Sequence, residues 1–201
     1  MKQIKSTAGL LLITALITAC GSVLTSESSA KRHYLLEPYT GSTASPENKA
    51  LPSLVISVTA VPGLDSDRIL ALGGDAHLTP YANARWVEHL PEVLTSVMRR
   101  SLMSTGQFET VKASTAAGNS EWMIELEVQR FYGTQSVPGE TASVEVRFAG
   151  SLSCNGSEHQ LMLNASKSVR QENLSTVVAA HQQGLNDVTE QLLDQIKSAC
   201  Y

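Results

Sequence analysis

"EWMIELEVQRFYG" (121–133) and "TASVEVRFAGSLSC" (141–154) are the two stretches that decide the fold. In each of them apolar and polar side chains alternate, and a period of two predicts strands with one buried and one solvated face. The connection "GTQSVPGE" (133–140) has the composition of a turn, so the two strands should form a hairpin. The apolar positions are Trp122, Ile124, Leu126, Val128 and Tyr132 in the first strand and Ala142, Val144, Val146, Phe148 and Leu152 in the second.

Further strands are predicted on both sides of this hairpin. The stretch "HQLMLNASKSV" (159–169) follows across the turn sequence "NGSE" and should pair with the second strand. Upstream, "SLVISVTAV" (53–61) also alternates before Pro62 and Gly63 end it. Shorter strands are expected within 33–39, 67–75 and 108–111.

Two helices are predicted from apolar residues at steps of three and four. The stretch 174–199 carries an apolar stripe that includes His181, which is expected to be a hydrogen-bonded core or rim histidine. The segment from Trp86 onward shows the same steps, and Pro91 removes one backbone donor within it. We therefore expect a helix that kinks or restarts at Pro91, runs regularly over 91–104 and ends near Gly106.

The order of these elements predicts a single α+β domain over residues 32–201. It should have two layers, a mixed or antiparallel sheet with two main helices packed on one face. The other face of the sheet would stay polar. A chain of this length is enough for one domain with a sizeable core.

The first 19 residues have the layout of a secretory signal peptide. Lys2 and Lys5 precede an uncharged run from Ala8 to Ala19. This run of about a dozen residues is shorter than the roughly 20 that a membrane-spanning helix needs. The small and polar residues that follow predict a tether over 20–31.

The residues that end the run, Ile17-Thr18-Ala19-Cys20, resemble the lipobox of bacterial lipoproteins. The resemblance implies cleavage before Cys20, a diacylglycerol on its thiol and acylation of the new amino terminus, which together anchor a protein stably in a membrane. Gly21 beside the cysteine implies sorting to the outer membrane, with the domain on its periplasmic face. The alternative is an ordinary signal peptide cleaved near an unmodified cysteine.

Charge and cysteine content limit the partners. The chain has 15 Lys+Arg and 19 Asp+Glu, a net charge of −4, and removing the two signal-peptide lysines leaves 13 basic residues against 19 acidic ones, or −6. No basic cluster is present, which argues against nucleic-acid binding. Cys154 and Cys200 remain as an even pair in an oxidising compartment and are expected to form a disulfide. Two separate thiols are the alternative.

The sequence contains no recognisable catalytic constellation. The motifs of α/β-hydrolases, zinc proteases, phosphate-binding loops and dinucleotide folds do not occur in it. The five histidines are not at metal-ligand spacing, so neither a metal nor a cofactor beyond the covalent lipid is expected. Glu125, Glu127 and Glu145 fall on the polar strand face, where we expect them to meet Arg147 and water. The protein is therefore not expected to be an enzyme.

Several short blocks together resemble one family. They are "RHYLLEP" (32–38), Pro80-Tyr81 followed by Ala84-Arg85-Trp86 and Glu88, "LEVQRFYG" (126–133) and "ASVEVRFAGSL" (142–152). In this order they are similar to the PqiC-like auxiliary lipoproteins of ABC-type transporters. The resemblance implies an outer-membrane accessory subunit that docks the periplasm-spanning MCE-domain protein of an intermembrane lipid transport system. It further implies that a helix begins within the block at Pro80–Glu88.

Three alternatives remain open at this level. The first is the docking subunit, the second is a lipid-binding carrier with an apolar cavity, and the third is a structural lipoprotein unrelated to transport.

Tyr81, Arg85 and Trp86 are the candidate partner-binding residues, because arginine and aromatic side chains are enriched at interface centres. The competing interpretation places Trp86 in the core and gives Arg85 backbone carbonyls to satisfy. A homo-oligomer would suit docking onto a multimeric partner.

Overall fold

The computed structural model describes residues 30–41, 51–113, 122–137, 140–170 and 173–201. They form an eight-stranded mixed sheet and two main helices in one compact unit, Lys31–Tyr201. The strands are β1 (Arg32–Tyr34), β2 (Leu54–Ala60), β3 (Arg68–Leu72), β4 (Leu78–Trp86), β5 (Val111–Ala113), β6 (Trp122–Val137), β7 (Glu140–Cys154) and β8 (Ser157–Ser168); the helices are α1 (Leu90–Ser104) and α2 (Leu174–Cys200).

The long strand β6 organises the sheet. Along one edge it pairs antiparallel with β7, and β8 continues the meander. Along the other edge it pairs in parallel with two separate strands, with β2 over Trp122–Val128 and with β3 at Gly133 and Thr134. Strand β5 lies outside β2, and strands β4 and β1 lie outside β3. The sheet therefore has two wings attached to one edge of β6.

The alternation predicted for β6 and β7 is confirmed over Trp122–Val128 and from Val144 to Leu152, but it is wrong at Tyr132, which is half-buried, and at Ala142, which is exposed. Every second residue of β6 from Trp122 to Val128 is buried, while Met123, Glu125 and Glu127 are exposed. A register shift between Val128 and Arg130 restores the pattern at Phe131. Such a bulge adds one residue to a strand and bends it locally, which suits the place where the edge passes from β2 to β3.

Both helices cover the buried face of the sheet, so the predicted two-layer α+β fold is confirmed. Helix α1 packs on β2 and β5, and helix α2 packs on β7 and β8. Their buried stripes meet the apolar strand residues in one continuous core. Helix α2 begins with a capping box, in which the side chains of Asn173 and Thr176 each accept a backbone N–H of the other residue.

The predicted helix opening at Tyr81 is wrong. Residues 78–86 form strand β4, which carries Tyr81, Arg85 and Trp86 and pairs with β3. The regular part of the helix is as expected, since α1 runs from Leu90 to Ser104 with Pro91 in its first turn, where a missing N–H costs nothing. The step of four from Trp86 to Leu90 places both residues on one predicted helix that kinks or restarts at Pro91, whereas in the structure Trp86 ends β4 and Leu90 begins α1.

The predicted first strand is also shorter than expected. Strand β1 ends at Tyr34, and residues 35–41 continue as a strap across both helices. Glu37 exchanges backbone hydrogen bonds with the side-chain amide of Gln182 on α2, and Ser104 Oγ on α1 donates to Tyr39 O at 2.8 Å. Tyr39 Oη donates to Glu190 at 2.6 Å, and this bond, with smaller contributions from burial and the charges of Glu190 and Asp194, raises the pKa of Tyr39 to about 12. The strand expected at 108–111 lies slightly later, at Val111–Ala113.

Cys154 and Cys200 are joined by a disulfide, with their Cα atoms 6.0 Å apart. The bond links the end of β7 to the last turn of α2. Beside it, Asn155 Nδ2 donates to Cys200 O at 2.9 Å. The C-terminal end of α2 is therefore fixed to the β7–β8 turn by one covalent and one hydrogen bond.

The predicted signal peptide, Cys20 and nearly all of the tether lie outside the described residues. The lipid anchor therefore stays a prediction. Within the described part of the chain, neither helix is both long and apolar enough to cross a bilayer.

Candidate docking surface

Trp86 occupies the centre of the core. Its side chain is only 1 % exposed and meets Phe131 and His181 edge to face, with ring centroids 5.7 and 5.4 Å away. These three rings join strand β4, the bulged part of β6 and helix α2. Trp86 therefore presents almost no surface of its own, and its contacts hold the end of β4 and the residue that follows it in place.

His181 completes this aromatic cluster as a fully buried residue, as expected from its place on the apolar stripe. Its Nδ1 lies 2.9 Å from the carbonyl oxygen of Val177, which can only accept, so Nδ1 carries the proton. Nε2 has no hydrogen-bond partner among the described residues. Burial lowers the pKa of His181 to about 4, against smaller opposing effects of nearby backbone groups.

The buried histidine predicts that acid destabilises the protein. At neutral pH His181 is uncharged in the folded and in the unfolded protein. Below pH 6.5 the histidine binds a proton in the unfolded chain, whereas in the folded chain it stays neutral until about pH 4. The free energy of unfolding should therefore fall by about 3 kcal/mol as the pH drops through this window. Urea unfolding at closely spaced pH values measures the slope.

A matched pair of variants isolates the contribution of His181. His181→Leu keeps the volume roughly constant and should flatten the slope between pH 6.5 and 4. His77→Ala, at an exposed position, should leave the slope unchanged. Equal slopes in the wild type and His181→Leu would show that other groups cause the acid sensitivity.

The side chains of Arg85 and Tyr81 contact other residues of the same domain. Arg85 Nε lies 3.5 Å from Asp67 Oδ2, and Arg85 Nη1 donates to Ala84 O at 3.0 Å. Tyr81 is half-buried and its hydroxyl hydrogen-bonds to that of Thr141 on β7. A side chain at Gly133 would come within 3.0 Å of the Tyr81 oxygen, so the glycine gives this pair its space.

The structure brings the three residues to one strand but points them apart. Trp86 faces the core, and the described contacts of Tyr81 and Arg85 tie β4 to β7 and to the turn before β3. The competing interpretation from the sequence, a core tryptophan and an arginine bound to a backbone carbonyl, describes their placement. Partner binding by Tyr81, Arg85 and Trp86 therefore stays a prediction, and their described contacts favour a positioning role.

The surface next to Trp86 has the features of a docking site that these residues lack. Val87 follows Trp86 directly and is 39 % exposed, and Leu35 at the start of the strap is 63 % exposed. Between the strap and helix α1 lies an open groove of about 270 Å³. We call this surface the corner; its exposed lining residues are Leu35, Val87, Glu88, Glu92, Ser96 and Arg100.

The corner includes a residue near the N-terminal end of the described unit. Leu35 is four residues after Lys31, where the described unit begins. Sequence analysis missed Leu35 and Val87 because isolated exposed apolar residues look like core residues in a sequence. One signal in the sequence could have identified Val87. It directly follows Trp86 in the block 80–88 that resembles the family, and it does not fit the apolar stripe of the helix that follows.

The polar face of the sheet carries a second concavity. Glu125, Glu127 and Glu158 line an open trough over the small residues of β7. Glu145 accepts a hydrogen bond from Ser166 Oγ at 2.6 Å, and the salt bridges among the described residues do not include the expected Arg147. In the same residues there is no group of three or more His, Cys, Asp or Glu able to hold a metal ion.

Comparison with known proteins assigns the fold and the family. The family described as "ABC-type transport auxiliary lipoprotein component" matches residues 34–193, from the end of β1 to deep within α2. The chain belongs to this family. The PqiC-like resemblance drawn from the sequence is therefore confirmed.

Two solved structures share the fold of this auxiliary lipoprotein. An uncharacterised protein has a TM-score of 0.65 at 16 % identity, over 83 % of this chain and 99 % of its own. A Xanthomonas campestris protein of family DUF330 has a TM-score of 0.65 at 18 % identity, over 81 % of this chain and 94 % of its own. Among curated proteins none matches the chain. Because it belongs to the family, the chain is an auxiliary component of ABC-type transport. The description of the family names no catalytic activity.

Proposed function

We propose that this auxiliary lipoprotein is an outer-membrane accessory subunit that docks the periplasm-spanning MCE-domain protein of an ABC-type lipid transporter. Family membership over residues 34–193 carries the proposal. The lipobox-like sequence at Cys20 supports attachment through a covalent lipid, and Gly21 supports the outer membrane. The protein would hold the far end of the transport path without performing chemistry.

The corner is the surface that suits this role best. An exposed apolar pair beside a groove is typical of a binding surface, since large side chains gain most by leaving water. Glu88, Glu92 and Arg100 surround the pair with both signs of charge, as the polar rim of an interface does. The groove of the corner is open to solvent, which favours docking over the alternative of a carrier that encloses a lipid.

The proposal is tested by in-cell crosslinking and affinity capture of the full-length protein. The wild type should recover an MCE-domain protein, and Cys20→Ala should recover much less because the domain leaves the membrane. Leu35→Asp and Val87→Asp should reduce capture about tenfold, since a charge would be buried against the partner. Thermal unfolding should change little, because both side chains are exposed.

Met162→Asp is the matched control for these variants. Met162 is also an exposed apolar residue, but it lies on the polar face of β8 at the far side of the sheet. Its replacement should leave capture at the wild-type level. Absence of any MCE-domain protein from the wild-type sample would refute the docking role, and co-purification of a bound lipid by the soluble domain would favour the carrier.

A further inference from the structure

Strand β8 forms one edge of the sheet, because among the described residues it pairs with β7 alone. Its pairing with β7 continues from Ser157 to Ser168 without a register shift, so the strand contains no bulge. Glu158 and Lys167 lie near its two ends, and residues 159–166 between them contain no acidic residue, lysine, arginine or proline. A long, regular edge without charges in its middle is a template for another strand unless something covers it.

Helix α2 packs against β8 and covers this edge with side chains. Gln191 Nε2 donates to Asn164 O at 2.8 Å, and Gln191 Oε1 accepts from Asn164 N at 3.1 Å, so one side-chain amide binds both backbone groups of a residue. One turn later, Gln195 Nε2 donates to Met162 O at 3.2 Å. A glutamine amide has the same kinds of donor and acceptor as a peptide group. Gln191 therefore occupies the place that the backbone of a neighbouring strand would take.

These contacts belong to a row of side chains on α2. Asp187 precedes Gln191 by four residues, and its carboxylate lies 2.5 Å from Lys167 Nζ on β8. Residues spaced by four lie on one face of a helix, so the three side chains form a single row along the strand. We call this row the edge guard; it consists of Asp187, Gln191 and Gln195. Because its amides bind the middle of β8, another strand could pair there only after these hydrogen bonds break.

We propose that the edge guard keeps the β8 edge closed to a second copy of this chain. The contacts of Met162 and Asn164 show that even-numbered residues of β8 turn their backbone groups to this edge. Two β8 strands related by a two-fold axis would pair antiparallel through the same groups on both copies. That arrangement places the Glu158 end of one copy beside the Lys167 end of the other, so the end charges would not repel. The proposal is independent of the MCE-domain protein and goes beyond the proposed function.

The first test compares the self-association of full-length variants by sedimentation equilibrium in density-matched detergent. Gln191→Ala/Gln195→Ala removes the amide contacts and should raise the mass above the wild-type value, toward twice that value. Gln182→Ala is the matched control, because Gln182 on the same helix binds both backbone groups of Glu37 in the strap and not β8. This control should sediment as the wild type.

A synthetic peptide of residues 157–168 reports strand pairing directly. By fluorescence anisotropy it should bind Gln191→Ala/Gln195→Ala at least about tenfold more tightly than the wild type, since no amide contacts have to break first. Methylating the backbone nitrogens of the peptide one at a time should weaken binding at alternate positions only. Adding Met162→Lys to the double variant should restore the wild-type mass, because a lysine on each paired edge would repel the other.

The outcomes decide whether the glutamines close an edge or only pack the helix. A folded double variant that keeps the wild-type mass would overturn the proposal, and so would equally tight peptide binding by the wild type. Gln191→Glu covers the case that the double variant fails to fold: it keeps the side-chain length, lacks the donor to Asn164 O, and should still raise the mass. A rise in mass that Met162→Lys does not reverse would contradict pairing through β8.

Discussion

Removing the disulfide between Cys154 and Cys200 is expected to lower the free energy of unfolding by about 4 kcal/mol. The bond joins residues 46 apart, and closing a loop of this length restricts the unfolded chain by an amount that the chain-entropy model converts to that value. Urea unfolding of Cys154→Ala/Cys200→Ala, compared with the oxidised wild type, measures the loss. The wild type under reducing conditions should lose a similar amount.

Amide hydrogen exchange shows which part of α2 the disulfide stabilises. The last turn of α2 is held at the β7–β8 turn by the disulfide and by Asn155, while Ile196 is the last of its buried apolar residues. In the reduced protein, amide exchange should accelerate after Ile196 and remain slow around Val188 and Leu192, which are fully buried. A loss below about 1 kcal/mol would show that the denatured chain keeps this region closed without the bond.

The central hairpin was predictable because its physics is local. Each strand has one face against the helices and one face toward water, so burial imposes a period of two on the sequence. The same holds for helix α2, whose stripe is long enough to exclude a strand. These elements gave the two-layer architecture without knowledge of the strand order.

Strand β4 and the strap were not predictable because contacts with distant segments, and not a local pattern, determine their structure. Strand β4 has buried residues at Ala84 and Trp86 only, too few to establish a period, and the apolar steps of α1 extend backward through it. The strap holds its place by side-chain hydrogen bonds from Gln182 and Ser104, residues that no pattern near 35–41 reveals. Contacts between distant segments decide both structures.

The candidate site shows the same limit. Trp86 and Arg85 stand out in a sequence because of their chemistry, but the structure buries the first and pairs the second with Asp67. Leu35 and Val87, which look ordinary in the sequence, are the side chains exposed beside a groove.

Trp86→Ala is expected to lower the free energy of unfolding by about 4 kcal/mol, since it empties the centre of the core. The cavity would separate β4 from Phe131 on β6 and from His181 on α2. Trp86→Phe should cost far less, because it keeps an aromatic ring and removes an indole N–H that has no partner among the described residues. Urea unfolding of both variants measures the difference.

The same pair of variants decides how Trp86 affects docking. If Trp86 acts by holding Val87 and the corner in place, Trp86→Phe should capture the MCE-domain protein at the wild-type level, and Trp86→Ala should lose capture together with stability. Val87→Ala, one residue away and exposed, should change stability by less than about 0.5 kcal/mol while still weakening capture. A folded Trp86→Phe that loses capture would contradict the positioning role and return Trp86 to the interface itself, because burial in the free protein would then have to give way on binding.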